Sequence, residues 1–168
     1  MDIQEAVKLW EHCQEQEIGV REGSEKCACV DIPGYPNHAI VGMVSGIKES
    51  ERYLDYLIER GDIKGEKFYV EYPEFNIVFA LWVVEKIHTA KDNHILSSII
   101  GNKRPKWEKI SDAISVNFPK IYEQIYSYIQ VYNPKLSKLD LHLGNFGINS
   151  RGEIICFDAF YGNLTKKG

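Results

Sequence analysis

Apolar positions change period several times along the chain, and each change marks an element. Over residues 2 to 17, Ile3, Val7, Leu9 and Trp10 recur at roughly helical spacing among Glu, Gln and Lys, which predicts an amphipathic helix ending before Gly19. Lys26 to Ile32 and His38 to Val44 are short β-like runs around Pro33-Gly34-Tyr35-Pro36-Asn37, a turn by composition, so a hairpin is expected. From Lys48 to Arg60 the apolar residues Tyr53, Leu54, Leu57 and Ile58 fit one helical face, with a stop at Gly61-Asp62. Two strands follow, Lys67 to Tyr72 and Asn76 to Ile87, turning at Pro73-Glu74. Trp107 to Tyr132 is helical by period, with Ile121, Ile125, Ile129 and Tyr132 on one stripe. Pro119 starts its second half and Asn133-Pro134 ends it.

Strands first and helices afterwards predict an α+β fold, with a sheet-rich part over residues 1–87, leading helix included, and a helix-rich part over 88–168. The chain has 168 residues, 44% of them hydrophobic and 12% aromatic, enough to bury one core and hardly two, so a single bilobal domain is expected. Twenty basic and 24 acidic side chains give a net charge of −4 without a long run of either sign, which argues against duplex nucleic acid as a partner. The N-terminus lacks the basic and apolar regions of a signal peptide, and the apolar run Ile77 to Val84 is too short to span a bilayer. A cytoplasmic protein without a membrane partner is the expectation. Cys13, Cys27, Cys29 and Cys156 form no C-x-x-C pair and are expected as buried, reduced thiols. His12, His38, His88 and His94 show no metal-ligand spacing.

Candidate chemistry concentrates near the C-terminus. Asn145 and Asp158 bracket two β-like runs, Phe146 onward and up to Phe157, with a turn at Arg151-Gly152. A two-residue loop there makes paired positions sum to 303 and sets Asn145 directly opposite Asp158. Directly opposed residues have Cβ atoms roughly 4.5–5.5 Å apart, close enough for an amide oxygen and a carboxylate to hold one hard cation such as Mg²⁺. Asp140, five residues before Asn145, brings a second carboxylate towards the same point. A D-x-x-x-x-N spacing is the one by which a kinase sets its hydroxyl-orienting Asp and metal-binding Asn.

Leu139-Asp140-Leu141-His142-Leu143-Gly144-Asn145, followed by Asp158, resembles the D-x-H-x-G-N loop of atypical kinases and aminoglycoside phosphotransferases, and more closely that of the early-expressed protein kinases of short-tailed coliphages. Cys27 to Val41, with its Pro33 and Pro36-Asn37, is similar to the first hairpin of those phage kinases. The resemblance covers roughly residues 23 to 160. It implies a compact bilobal kinase-like fold with a small antiparallel-sheet lobe and a truncated helical lobe. Asp140 would be the catalytic residue and Asn145 and Asp158 the Mg²⁺ ligands. Gly23, Lys26, Val30 and Ala39 would border ATP, and Lys48 to Arg60 would be the helix that normally carries the ion-pair Glu, for which Glu49, Glu51 and Glu59 are the candidates. It also implies phage origin, action in the host cytoplasm and a host-protein partner.

Three departures from the family pattern bear on activity. The third-strand lysine that holds the ATP phosphates in a kinase is matched by Val41, and no lysine occurs between Lys26 and Lys48. Glu25 stands where a second glycine would let the backbone approach phosphate. The chain stops ten residues after Asp158, short of an activation segment. ATP and Mg²⁺ binding is therefore expected to be weak or absent. A degenerate kinase acting by protein binding is the expected function; the alternative is an active serine/threonine phosphotransferase in which Lys26 or Lys48 replaces the missing clamp. His142 reads as structural, and Tyr122, Tyr126, Tyr128 and Tyr132 as helix packing.

Overall fold

Strand β5 (Ile77–Glu85) is apolar almost throughout because the sheet around it is covered on both faces. The computed structural model describes residues 1–16, 20–22, 27–101 and 103–164. Within them the sheet has five antiparallel strands, β1 (Val20–Glu22), β2 (Cys27–Cys29), β3 (His38–Val44), β4 (Gly65–Tyr72) and β5, in the order β1-β2-β3-β5-β4. Alternation assigns the faces. Ile40 and Leu81 point to helix α1 (Ile3–Gln16), which lays Ala6, Trp10 and Cys13 on them. Ala39, Met43, Ala80, Trp82 and Val84 point the other way, into the larger core.

Gly42 explains how closely α1 sits. A Cβ there would fall 2.6 Å from Trp10 Nε1 and 2.8 Å from a Leu81 methyl, so only glycine admits the indole. Cys13 is disulfide-bonded, and Cys156 is a buried free thiol, so the expectation of reduced thiols throughout is corrected at Cys13.

Helix α2 (Glu49–Arg60) follows β3 and ends where Gly61 turns left-handed at φ 81°, its N–H bonding back into the last turn. The expected stop at Gly61-Asp62 is thus the one observed. The remaining helices are α3 (His94–Ile100), α4 (Trp107–Asn117) and α5 (Pro119–Tyr132), the last pair divided at Phe118 with Pro119 opening α5. A second antiparallel sheet joins β6 (His88–Thr89), β7 (Phe146–Ile148) and β8 (Ile154–Cys156) in that order. The architecture is mixed α+β with two small antiparallel sheets.

One core unites the parts: Tyr53 and Leu57 of α2, Trp82 of β5, Ile121 and Tyr128 of α5, and Phe146 and Phe160 belong to a single buried cluster. At its centre the Cys156 peptide is satisfied from two helices. Tyr53 Oη donates to its carbonyl at 2.7 Å, and its N–H donates to Gln124 Oε1 at 3.1 Å. Both side chains are fully buried, so both bonds are needed to offset desolvation. Among the described residues no helix is long and apolar enough to cross a membrane.

Candidate functional site

The Asp140–Asn145 segment is fixed by its own side chains. Asp140 N–H donates to Ala159 O at 2.8 Å, which ties the start of the loop to the segment after β8. His142 Nδ1 accepts from Gly144 N–H at 3.0 Å and caps a 3₁₀ turn over Leu143–Asn145. His142 therefore shapes the loop backbone. Asn145 Nδ2 reaches back to Asp140 O at 2.9 Å, closing the loop and leaving Oδ1 as the amide atom suited to a cation.

The hairpin beyond is one residue out of the expected register. Phe146 pairs with Cys156 and Ile148 with Ile154, so paired positions sum to 302 rather than 303. Asn145 O accepts from Phe157 N–H at 3.0 Å, and Asp158 lies one residue past that pairing, so the direct Asn145–Asp158 opposition is corrected. The reason is Asn149, whose Oδ1 accepts from the N–H groups of both Arg151 and Glu153 at 3.0 Å. That side-chain turn makes the loop five residues long.

Even so, Asp140, Asn145 and Asp158 line one cavity of about 640 Å³ between the two sheets. Its other wall is apolar and includes Ala28, Val30, Ala39, Val41, Leu54 and Val84. An apolar slot with polar groups at one end is the usual form of a small-molecule site. Of the residues the sequence nominated for nucleotide, Val30 and Ala39 are on this wall; Gly23 and Lys26 lie outside the described residues. Val41 shares the face of Ala39, two residues away on β3.

Helix α2 turns its acids elsewhere. Glu49, fully buried, pairs with Arg52 at 2.8 Å and accepts from Tyr128 Oη at 2.9 Å. Glu51 accepts from Ser45 Oγ and Gly46 N–H and pairs with Lys67 at 3.0 Å. Glu59 is exposed in the last turn. The residues α2 gives to the cavity are Ser50 and Leu54, so none of the three candidate acids reaches it. Lys48 is also absent from its lining; its Nζ lies 3.5 Å from Asn163 Oδ1, on the C-terminal segment.

Two cations that the sequence reading passed over do reach the cavity. Lys86 pairs with Asp31 at 2.7 Å, and Arg104 Nε stands 3.1 Å from Asp140 Oδ1. The latter is charge pairing without hydrogen-bond alignment, since Oδ1 is buried and accepts no hydrogen bond. The position of Lys86 was legible by strand parity with Val84; Arg104 sits in a loop and gave no signal. Glu85 was likewise missed. Its two oxygens accept from Lys64 N–H and Ser150 N–H, each at 2.6 Å, joining the larger sheet to the β7–β8 turn. Burial pushes its carboxyl up, but those donors outweigh burial and hold it below the ordinary range.

No protein-family model, curated protein or solved structure matches this chain.

A hard cation would find Asn145 Oδ1 and the Asp158 carboxylate on the same wall. Such a donor pair fits Mg²⁺, which keeps several waters and takes one or two carboxylates plus phosphate oxygens. Among the described residues no group of three or more His, Cys, Asp or Glu could hold a metal unaided.

Proposed function

We propose that the chain is a degenerate protein-kinase-like protein that acts by binding and modulating another protein, a host protein if the resemblance to phage kinases extends to its source. The observation that carries this reading is the charge around the cavity. Val41 stands where a phosphate-binding lysine is needed, α2 presents Ser50 and Leu54 in place of a glutamate, and Arg104 sits on the carboxylate of Asp140. Phosphoryl transfer depends on positioning and charge neutralisation. A cleft lacking the clamp, with its orienting carboxylate already paired, is poorly equipped for both.

One observation favours the alternative, an active phosphotransferase: Asp140, Asn145 and Asp158 share a wall, with Lys86 on the same cavity. In that mechanism Asp140 would orient an attacking hydroxyl, Asn145 and Asp158 would hold Mg²⁺, whose charge would offset that of the phosphates, and Lys86 would supply the cation that Val41 does not. A Mg-ATP thermal-shift titration with a phosphate-transfer assay separates the readings. The degenerate reading expects little stabilisation and no transfer, together with recovery of a specific protein complex that survives Asp140→Asn. Stabilisation by about 2.7 kcal/mol at 100 times the dissociation constant, with transfer lost in Asp140→Asn, would establish the enzyme instead.

A further inference from the structure

A second, smaller cavity of about 220 Å³ lies behind the Asp140–Asn145 loop, with Arg104 and Gly144 common to both cavities. Its charged side chains are Lys91, Lys103 and Arg104, joined by His142; no carboxylate lines it. This is an unusual concentration of positive charge in a chain of net charge −4. Neither Lys91 nor Lys103 has a side-chain ion pair or hydrogen bond among the described residues, whereas Lys67, Lys86 and Lys120 are all paired with carboxylates. Because His142 Nδ1 accepts the Gly144 N–H, the neutral ring carries its proton on Nε2 and offers a further donor.

We propose that this cavity is an oxyanion site for the phosphoryl group of a phosphorylated side chain on a protein partner. Three cations and an imidazole donor around a small space match a dianion with three acceptor oxygens better than a single carboxylate, which one guanidinium satisfies. The apolar slot belongs to the larger cavity, which shares only Arg104 and Gly144 with this one. The proposal rests on the reading that the chain acts by binding a protein, and is independent of nucleotide binding in the larger cleft. Arg104 gives the site a consequence: an anion bound there competes with Asp140 for the guanidinium, so partner binding would alter the charge at the larger cavity.

The test is a titration of the ¹⁵N-labelled chain with O-phosphoserine, inorganic phosphate and unmodified serine, followed through assigned backbone amides. Phosphoserine and phosphate are expected to move the amides of Lys103, Arg104 and Gly144, and serine to move none. Lys91→Ala with Lys103→Ala should weaken phosphoserine at least tenfold, and restoring the charge as Lys91→Arg with Lys103→Arg should recover most of it; these exposed side chains are not needed for folding. Scattered shifts, or equal affinity in the alanine double variant, would overturn the site. Phosphate binding without phosphoserine binding would overturn the side-chain assignment. Mg-ATP titrated separately reads on Ala39 and Val41, so a failure of the cleft is distinguishable from a failure here.

Discussion

Lys67 Nζ lies 3.0 Å from Glu51 Oε1 and 2.7 Å from Asp55 Oδ2, so the lysine–acid contact joining the sheet to α2 comes from β4 and not from the third strand. The ammonium also sits 5.1 Å from the Trp82 ring centroid, and Trp82 Nε1 donates to Asp55 Oδ1. This is an anchor: Lys67 is not among the residues lining the larger cavity. Removing it takes the counter-charge from two carboxylates, one of them, Glu51, only 7% exposed, and leaves them their hydrogen bonds from Ser45, Gly46 and Trp82.

Lys67→Met is therefore expected to lower stability by about 1–3 kcal/mol, the figure kept below that of a fully buried pair because Asp55 is half open to water. Denaturant titration measures it. Any Mg-ATP response should be unchanged; a selective loss of that response at normal stability would make Lys67 a cleft residue.

Glu85 sets an acid limit. Its folded carboxyl lies below the ordinary value of 4.5, so its contribution is complete above that pH and is lost as pH falls through the lower folded value. Glu153, held by Lys120, Asn149 and Arg151, is drawn down to about 2 and acts in the same direction, more weakly because a third of its side chain is exposed. The melting temperature should decline from about pH 4.5 towards 2. Glu85→Gln keeps one acceptor and sets its amide against the other N–H. It should cost about 1–3 kcal/mol at neutral pH and flatten the acid slope. An unchanged slope would mean that Glu85 carries none of it.

Asp158 is the simplest handle on the cation. Asp158→Ala should retain a cooperative melt and abolish the Mg²⁺-dependent part of any ATP-induced stabilisation, since Asn145 alone is one neutral oxygen donor. An identical Mg²⁺ dependence in the variant would remove Asp158 from the site. An Asn145→Ala variant that keeps the dependence would do the same for Asn145.

Much of the fold was readable because the long elements carry clear patterns: Tyr53, Leu54 and Leu57 announced α2, and the unbroken apolar run Ile77 to Val84 announced β5. β1 and β6 were not readable, since three residues and two residues are too few to show a period. α3 depends on an N-cap, Asn93 Oδ1 accepting from Leu96 N–H at 3.0 Å, attached to a seven-residue helix that can bury only Leu96 and Ile100. Asp140, Asn145 and Asp158 were found by spacing, yet their register was not, because the Asn149 side chain lengthens the turn. Lys103 and Arg104 are neighbours in sequence and Lys91 lies just before α3, but only tertiary packing sets them against His142 and Gly144, and no period or spacing announces that.

Val41→Lys tests the central argument, that a clamp was lost rather than moved. Val41 pairs in register with Ala28 and Trp82, lines the cavity with Ala39 and is only partly buried, so a lysine there can extend into the cavity of about 640 Å³. The variant should fold and tighten Mg-ATP binding by about 1–3 kcal/mol, the worth of a charge-assisted contact. Ser50 faces the same cavity from α2, so adding Ser50→Glu gives the new ammonium a carboxylate in the place that α2 leaves without one. If both positions address one point, the two substitutions couple: the double variant should be more stable than the sum of the single effects by about 0.5–3 kcal/mol. Calorimetry with and without Mg-ATP reads both quantities. A Val41→Lys protein that is strongly destabilised and blind to nucleotide would show that a lysine at this position is desolvated in the core instead. Additive effects at positions 41 and 50 would likewise separate β3 from α2 and remove the lost-clamp argument.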